Sequence, residues 1–292
     1  MPESSLKEIS VVIPAYNEEN AVAQEIMNLK KVLDVCDITY EIIVVDDGSK
    51  DRTAEEAIGT GVQVLRHVRN RGYGASLKTG INAAQYDHIA ITDADGTYPA
   101  EALPAMLKLG ADYDMVVGAR VGPNAQIPTI RKPAKWFLRI LASYLAGRVI
   151  PDLNSGLRVM KKSVVKRFEY LLPSGFSFTT TITLSMLCND YLVHYHPIDY
   201  FQRVGKSKIK PVDAYYFFLL ILRTIVYFNP LKVFLPIGAI FFATGLGKFI
   251  YDLFLGNMSE TAVLGLLAAF LFWGMGLLSD QIAKVGMSLH RE

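Results

Sequence analysis

The sequence predicts an α/β fold, in which a Rossmann-like nucleotide-binding domain with a mostly parallel sheet is followed by apolar helices. Two observations support this fold class. Short β-branched runs alternate with helical segments in the first part of the chain, which is the pattern of a doubly wound sheet. Hydrophobic residues make up 51% of the chain and are concentrated after residue 210. The chain is therefore expected to contain a globular part and an apolar part.

Strands are predicted at Ile9–Ile13, at Glu41–Val45, at Val62–Leu65, directly before Asp93, and at Asp114–Arg120. The first strand is expected to stop at Pro14, and β-branched runs of this kind are typical of parallel strands that are buried on both faces. A helix is expected from Glu18 to about Val35, with Asn17 as its N-cap, because short polar side chains accept hydrogen bonds from the first helical turn.

Two carboxylates, Asp93 and Asp95, follow a short apolar run and stand just before a Gly. In an open α/β sheet, ligands bind at the carboxyl ends of the strands. Two neighbouring carboxylates repel each other unless a cation lies between them, and hard oxygen ligands suit Mg²⁺ or Mn²⁺. The pattern therefore indicates a divalent metal that carries a diphosphate, although a polar turn with two solvated acids would have the same sequence.

Other nucleotide-binding signatures are missing from the sequence. The chain has no Gly-x-x-x-x-Gly-Lys-Ser/Thr loop, and its first strand does not lead into Gly-x-Gly-x-x-Gly. A nucleotide would instead be held by the ring of Tyr16 and by carboxylates at strand ends, with the metal on its diphosphate.

Composition limits the class of partner. The net charge is +2, so bulk charge gives no indication of a nucleic-acid-binding protein. Two cysteines, Cys36 and Cys188, show no pairing or metal-ligand spacing. This usage is typical of a reduced domain that faces the cytosol.

Three segments together are specific: Pro14-Ala-Tyr-Asn-Glu18, Asp46-Asp-Gly-Ser-x-Asp-x-Thr53 and Asp93-Ala-Asp95. In this order and spacing they resemble the family 2 glycosyltransferases, which have a GT-A fold, and within that family the dolichyl- or polyprenyl-phosphate hexose synthases. The resemblance implies inverting transfer of a hexose from GDP-mannose or a UDP-hexose to polyprenyl or dolichyl phosphate.

The resemblance implies a donor and metal site formed by Pro14, Tyr16, Glu18, Asp47, Asp93 and Asp95. Asp47 would accept a hydrogen bond from the base, and a carboxylate can do so from either uracil or guanine. Asp93 and Asp95 would hold Mg²⁺ or Mn²⁺. Mannose synthases often carry a metal-binding Gln where this chain has Thr97, so either water fills the gap or the sugar specificity differs.

By the same resemblance, Arg203 and Lys208 lie in a loop that closes over the diphosphate and would neutralise the leaving group. Asp93, Asp95 and Arg203 are thus the predicted catalytic residues. The alternative for residues 203–210 is a polybasic linker beside the membrane, and both interpretations can hold together.

The resemblance places the lipid phosphate at Arg120, Arg131 and Lys135. It also places Asp152 and Arg158 in a nearby loop, where they are expected to be structural partners.

Residues 122–148 contain cations and aromatic residues but no acid. This composition favours a basic amphipathic segment on anionic lipid over a solvated helix face.

No carboxylate occurs between Glu169 and Asp190, where relatives that glycosylate a hydroxyl carry a general base. A phosphate is already ionised near neutral pH and needs no base, so the gap favours a phosphate acceptor unless a base lies elsewhere in the chain.

Three parts are expected: a catalytic domain at residues 1–210, an interfacial helix at 211–230, and a two-helix membrane anchor at 231–292. The spans are predicted at about residues 231–255 and 261–279. Basic flanks and a short loop without Lys or Arg place the catalytic domain and both termini in the cytosol. The alternative is the buried helical hairpin of a soluble protein.

The sequence leaves two rival functions. A processive polysaccharide synthase would carry Gln-x-x-Arg-Trp and more spans, which this sequence lacks. A catalytically inactive membrane adaptor that keeps the fold is the alternative from another class. A homo-oligomer is compatible with the sequence.

Overall fold

A computed structural model describes residues 6–121, 132–175, 177–201 and 213–289. Over these residues the chain forms a seven-stranded sheet covered by helices, and three further helices follow it. The α/β class with a mostly parallel sheet is confirmed.

The strands are β1 (Glu8–Ala15), β2 (Thr39–Asp46), β3 (Gln63–Arg66), β4 (His88–Ile91), β5 (Met115–Ala119), β6 (Arg158–Lys161) and β7 (Val193–Pro197). Their order in the sheet is β3-β2-β1-β4-β6-β5-β7. β6 runs antiparallel to both of its neighbours, and the other strand pairs are parallel. β6 is missing from the predicted strands because two of its four residues are cations.

The helices of the globular part are α1 (Val22–Leu33), α2 (Thr53–Gly59), α3 (Tyr73–Ala83), α4 (Leu103–Gly110), α5 (Lys132–Ala146), α6 (Lys162–Arg167) and α7 (Phe178–Cys188). The C-terminal helices are α8 (Asp213–Phe228), α9 (Leu231–Leu255) and α10 (Glu260–Leu289).

Alternating side chains of the central strands form two cores, one on each face of the sheet. On β1, Val11 and Ile13 belong to the core that includes α1 and α4, while Val12 belongs to the core that includes α3 and α7. All three side chains have no exposed surface. This is the pattern of a strand buried on both faces, and it leaves only the strand ends available for a site.

The start of the chain differs from the prediction at two points. β1 continues through Pro14 to Ala15, because β4 pairs with β1 only as far as Val12 and no hydrogen bond from Pro14 is needed on that side. Asn17 is not the N-cap of α1, which begins four residues later than expected, at Val22. Asn17 instead has a positive φ of 53°, and its side-chain oxygen accepts the Lys50 N–H at 3.0 Å.

The C-terminal helices begin on the globular domain and then leave it. α8 packs on α7 through Ile221 and Ile225, both fully buried, while Tyr215 and Leu219 on α8 are exposed. α9 and α10 form an antiparallel pair, and both are long and apolar enough to cross a membrane. The bounds of α9 match the first predicted span, whereas α10 continues ten residues past the predicted end at residue 279.

Small residues allow α9 and α10 to approach closely. A Cβ at Gly265 would lie 3.0 Å from the Cα of Gly245. Near the turn between the helices, Asp252 is buried, pairs with Lys248 and accepts the Ser259 N–H at 2.9 Å. The two helices are thus held together along their length and at their tip.

Candidate active site

A cleft with a volume of about 220 Å³ lies where the carboxyl ends of β1, β2 and β4 meet. It is lined by Pro14, Ala15, Tyr16, Glu18, Asp47, Asn70, Gly72, Tyr73, Ser76, Asp93, Ala94 and Asp95. The structure therefore brings together the six residues that the sequence assigns to the donor and the metal. Their individual roles stay predictions.

Hydrogen bonds join the first two motif segments to each other. The backbone N–H of Asn17 donates to Ser49 Oγ at 2.9 Å, and that of Glu18 donates to Thr53 Oγ1 at 2.8 Å. Asp51 accepts the backbone N–H of Thr53, the first residue of α2, at 3.1 Å, although the N-cap residue of α2 is Arg52. The loop after β1, which carries Tyr16 and Glu18, is therefore held against the loop after β2.

Asp95 is oriented by Thr97. One carboxylate oxygen of Asp95 accepts the Thr97 hydroxyl at 2.6 Å and the Thr97 backbone N–H at 3.2 Å, and both residues are buried. Thr97 thus has a positioning role at the position where mannose synthases often carry Gln.

Asp93 lies between a tyrosine and a glycine. The Tyr73 hydroxyl hydrogen-bonds Asp93, and burial together with the Asp93 charge raises the pKa of Tyr73 well above its ordinary value. On the other side, a Cβ at Gly156 would lie 3.0 Å from each Asp93 carboxylate oxygen. The Gly156 N–H donates to the hydroxyl of the buried Tyr98 at 2.6 Å. The space around Asp93 is therefore defined by backbone as well as by side chains.

Glu25 is a buried acid that interacts electrostatically with Asp93 and Asp95 and that is not predicted from the sequence. It lies on α1 with 3% of its surface exposed, and one of its carboxylate oxygens has no hydrogen-bond partner. Burial, followed by the charges of Asp95, Asp93 and Glu101, raises its pKa to about 8. The signal that could have revealed it is helical spacing, because Glu25 lies between Val22 and Ile26 on the buried face of α1.

The raised pKa of Glu25 predicts that the free energy of unfolding depends on pH. The pKa of Glu25 is near 4.5 in the unfolded chain and about 8 in the fold, so its contribution to stability is lost as pH rises through that range. In metal-free protein, Glu25→Gln should remove this dependence and raise stability at pH 8 by an amount on the order of a few kcal/mol.

Thermal unfolding midpoints in EDTA, measured between pH 5 and pH 8.5, test this expectation. Glu101→Gln is the matched control, because Glu101 is an exposed acid of the same cluster. Equal pH dependence in the wild type and in Glu25→Gln would contradict the prediction.

The donor set of the cleft fits a divalent cation. Asp93 and Asp95 would supply hard oxygen ligands, and a cation between them would offset their negative charge, which also contributes to the raised pKa of the buried Glu25. Within the described ranges, no cluster of three or more His, Cys, Asp or Glu side chains is arranged to hold a metal.

Asp47 holds the loop that follows β3. Its carboxylate accepts the backbone N–H groups of Arg71 and Gly72, both at 2.8 Å, and is hydrogen-bonded to His67 Nδ1 at 2.7 Å. The same loop lies against the segment that precedes α7, because a Cβ at Gly72 would lie 2.5 Å from the Ser174 carbonyl oxygen. Gly72 also has a φ of 99°, so a glycine is required there.

Arg120 carries a buried ion pair. Its Nε and Nη2 donate to the Asp152 carboxylate at 2.7 and 2.9 Å, and its guanidinium lies 5.1 Å from the centroid of the Tyr200 ring. Burial alone would raise the pKa of Asp152, but the hydrogen bonds and charge of Arg120 hold it at about 2. The charge of Arg120 is already balanced in part by Asp152, and a role in binding lipid phosphate stays a prediction.

The expected pairing of Asp152 with Arg158 is wrong. Arg158 is fully buried and donates to the carbonyl oxygens of Ser155 and Leu153 and to the Thr183 hydroxyl, at 2.8, 3.1 and 2.6 Å. A buried guanidinium has five N–H donors to satisfy, and the loop of residues 153–155 supplies carbonyl oxygens directly beside it. Arg158 therefore fixes the loop that places Gly156 against Asp93.

Arg131, Arg203 and Lys208 lie outside the described residues, and Lys135 lies in α5 without a described side chain. Their roles at the diphosphate and the lipid phosphate stay predictions.

The mostly parallel sheet, with acids at the carboxyl ends of its strands, is the arrangement found in nucleotide-binding α/β proteins. The model of the family "Glycosyl transferase family 2" matches residues 10–168, and that of the "GtrB C-terminal hairpin" matches residues 229–285. The chain belongs to glycosyl transferase family 2 and is a glycosyltransferase.

Named relatives include a dolichyl-phosphate hexose transferase of Haloferax volcanii, which is 31% identical over 213 residues, covering 72% of this chain and 90% of the relative. An undecaprenyl-phosphate 4-deoxy-4-formamido-L-arabinose transferase of Sodalis glossinidius is 27% identical over 310 residues, covering 96% of this chain and 90% of the relative.

Among solved structures, glucosyl-3-phosphoglycerate synthase from Mycobacterium tuberculosis, in complex with Mn²⁺, UDP and phosphoglyceric acid, has a TM-score of 0.59 and 20% identity. The match covers 75% of this chain and 78% of that one. At this identity the likeness shows the GT-A fold alone.

Proposed function

We propose that the protein transfers a hexose, with inversion, from a nucleoside-diphosphate sugar to polyprenyl or dolichyl phosphate at the cytosolic membrane face. The observation that carries this proposal is one cleft that gathers Asp47, Asp93 and Asp95 in a chain that also has two membrane-length helices. The names of the relatives, which act on dolichyl phosphate or undecaprenyl phosphate, support the acceptor class. GDP-mannose and a UDP-hexose are the two donor candidates.

In the donor half of the site, Pro14, Tyr16 and Glu18 line the nucleotide position and Asp47 accepts a base N–H. Asp93 and Asp95 would hold Mg²⁺ or Mn²⁺, which supplies positive charge to the departing diphosphate.

Arg203 is proposed to add to this charge as a catalytic residue, together with Lys208.

The acceptor half is proposed on the side of Arg120. The loop that begins at Asp152, the partner of Arg120, ends at Gly156 against Asp93, so Arg120 and the proposed metal ligand Asp93 both contact residues 152–156. Arg131 and Lys135 complete the proposed phosphate site. The attacking phosphate oxygen is already anionic, so no general base is needed on the segment from Glu169 to Asp190.

The membrane part follows from charge and length. α9 and α10 are proposed to span the bilayer and α8 to lie at its interface. The loop of residues 256–259 between the spans contains no Lys or Arg, whereas residues 203–210 are basic. By the positive-inside rule, the domain of residues 1–210 and both termini then lie in the cytosol.

The test uses purified full-length protein in lipid nanodiscs with Mn²⁺, labelled GDP-mannose or UDP-glucose, and either a polyprenyl phosphate or the matching polyprenol. We expect nucleoside diphosphate release and labelled lipid only with the phosphate. Equal transfer to the polyprenol would overturn the proposed acceptor class. An adaptor without activity would give no product with either lipid.

A further inference from the structure

We infer that the donor site selects uracil over guanine, and that His67 is a specificity-determining residue because it occupies an acceptor position on Asp47. This inference rests on the proposed function, in which Asp47 receives the base. It names the class of donor as a uridine diphosphate sugar.

The hydrogen bonds that Asp47 already accepts leave its carboxylate one free acceptor position. A carboxylate has about four acceptor positions, two on each oxygen. On Oδ1, His67 Nδ1 takes one position at 2.7 Å and the Arg71 N–H takes the other at 2.8 Å. On Oδ2, the Gly72 N–H takes one position at 2.8 Å. Oδ1 is therefore full, and Oδ2 can accept one further hydrogen bond.

The surroundings prevent Asp47 from changing this arrangement. Asp47 and His67 are 4% and 8% exposed, and the second ring nitrogen of His67 is hydrogen-bonded to Thr79 Oγ1 at 2.9 Å. These partners are best satisfied by the tautomer that donates from Nδ1 to Asp47. The next residue, Gly48, has a φ of 71°, and a Cβ there would lie 2.7 Å from the Arg69 carbonyl carbon. The number of acceptor positions is thus built into the fold.

Uracil and guanine differ in the number of donors that they offer to a carboxylate. Uracil presents a single N3–H between two carbonyl groups, which needs one acceptor. Guanine presents N1–H and its 2-amino group side by side, which need both carboxylate oxygens. Because Oδ1 of Asp47 is full, the 2-amino group would be desolvated without a partner on Asp47. One such unmet group lowers affinity by roughly tenfold or more.

The experiment measures binding of nucleoside diphosphates to the purified full-length protein with Mn²⁺ by calorimetry. The probes are UDP, 3-methyl-UDP, GDP and inosine diphosphate. Inosine diphosphate differs from GDP only in lacking the 2-amino group of the base. We expect UDP to bind most tightly and methylation of N3 to weaken binding by about tenfold or more. Inosine diphosphate should bind more tightly than GDP, although the two bases have the same ring system.

A variant tests the part played by His67. His67→Leu frees a position on Asp47 Oδ1, so the ratio of the GDP and UDP dissociation constants should fall at least about threefold. A merely structural role would weaken both nucleotides equally and leave the ratio unchanged, which would overturn the role of His67. His88→Leu is the control, since His88 lies at the opposite end of β4 from the cleft.

The outcomes separate this inference from the proposed function. GDP binding as tightly as UDP, or no loss on N3 methylation, overturns the inference while leaving sugar transfer to polyprenyl phosphate intact. If none of the four nucleotides binds in the presence of Mn²⁺, the proposed function fails and the inference fails with it.

Discussion

Asp95→Asn is expected to lower sugar transfer by at least about a hundredfold without unfolding the protein. Asparagine has nearly the same shape as aspartate, and its amide oxygen can still accept the two hydrogen bonds from Thr97. It has no charge, however, and a hard divalent cation binds a neutral amide much more weakly than a carboxylate. The loss should therefore appear in metal binding as well as in turnover.

Turnover at saturating donor and Mn²⁺ affinity by electron paramagnetic resonance are the measurements for this variant. Glu101→Gln is the control, because Glu101 is close enough to raise the pKa of Glu25 but does not line the cleft. An Asp95→Asn protein with unchanged turnover would show that the metal assignment is wrong.

Gly156→Ala is expected to reduce transfer by roughly ten- to a hundredfold, because a misplacement of about 1 Å at a reacting centre can have an effect of this size. The added methyl group would lie 3.0 Å from both oxygens of Asp93, which is too close for an unchanged carboxylate. The backbone of Gly156 has no positive φ, so alanine is tolerated there conformationally. The damage should fall on Asp93 more than on folding.

The corresponding measurements are the unfolding midpoint, Mn²⁺ affinity and turnover of the Gly156→Ala protein. Gly59→Ala is the matched control, since a Cβ at Gly59 meets nothing within 4 Å. A Gly156→Ala protein with wild-type Mn²⁺ affinity and turnover would mean that the Asp93 carboxylate does not need its observed position.

The sequence was sufficient to predict that the residues assigned to the sugar donor lie close together, and the reason is geometric. Asp47 and Asp93 each follow a β-branched run, and parallel strands bring their carboxyl ends to one edge of a sheet. The structure places both in the cleft with Tyr16 and Glu18. Local pattern was sufficient here because each residue's position depends on its own strand.

Pairings between distant residues could not be predicted in the same way. The partner of Asp152 is Arg120, 32 residues earlier, and not Arg158, six residues later. Both arginines carry the same charge, so sequence alone does not choose between them. The choice depends on β6, which inserts antiparallel beside β5 and turns Arg158 into the core.

Glu25 escaped prediction for a different reason. An acid in the first turns of a helix is usually solvated and interacts favourably with the helix dipole, so its presence there draws no notice. Glu25 comes close enough for the charges of Asp93 and Asp95 to raise its pKa only because α1 packs against the sheet. Helical periodicity indicates burial, but it does not show which charges lie beyond the helix.

The tip of the C-terminal hairpin has a consequence for how the protein is made. Lys248, Asp252 and Ser259 lie within twelve residues of one another, so their contacts need only this short segment of the chain. Farther along the pair, the Trp273 indole N–H donates to the Leu235 carbonyl oxygen at 3.2 Å. In the proposed bilayer, a charge without a partner would be costly. Both helices should therefore enter the lipid jointly, with the charges of Lys248 and Asp252 already paired.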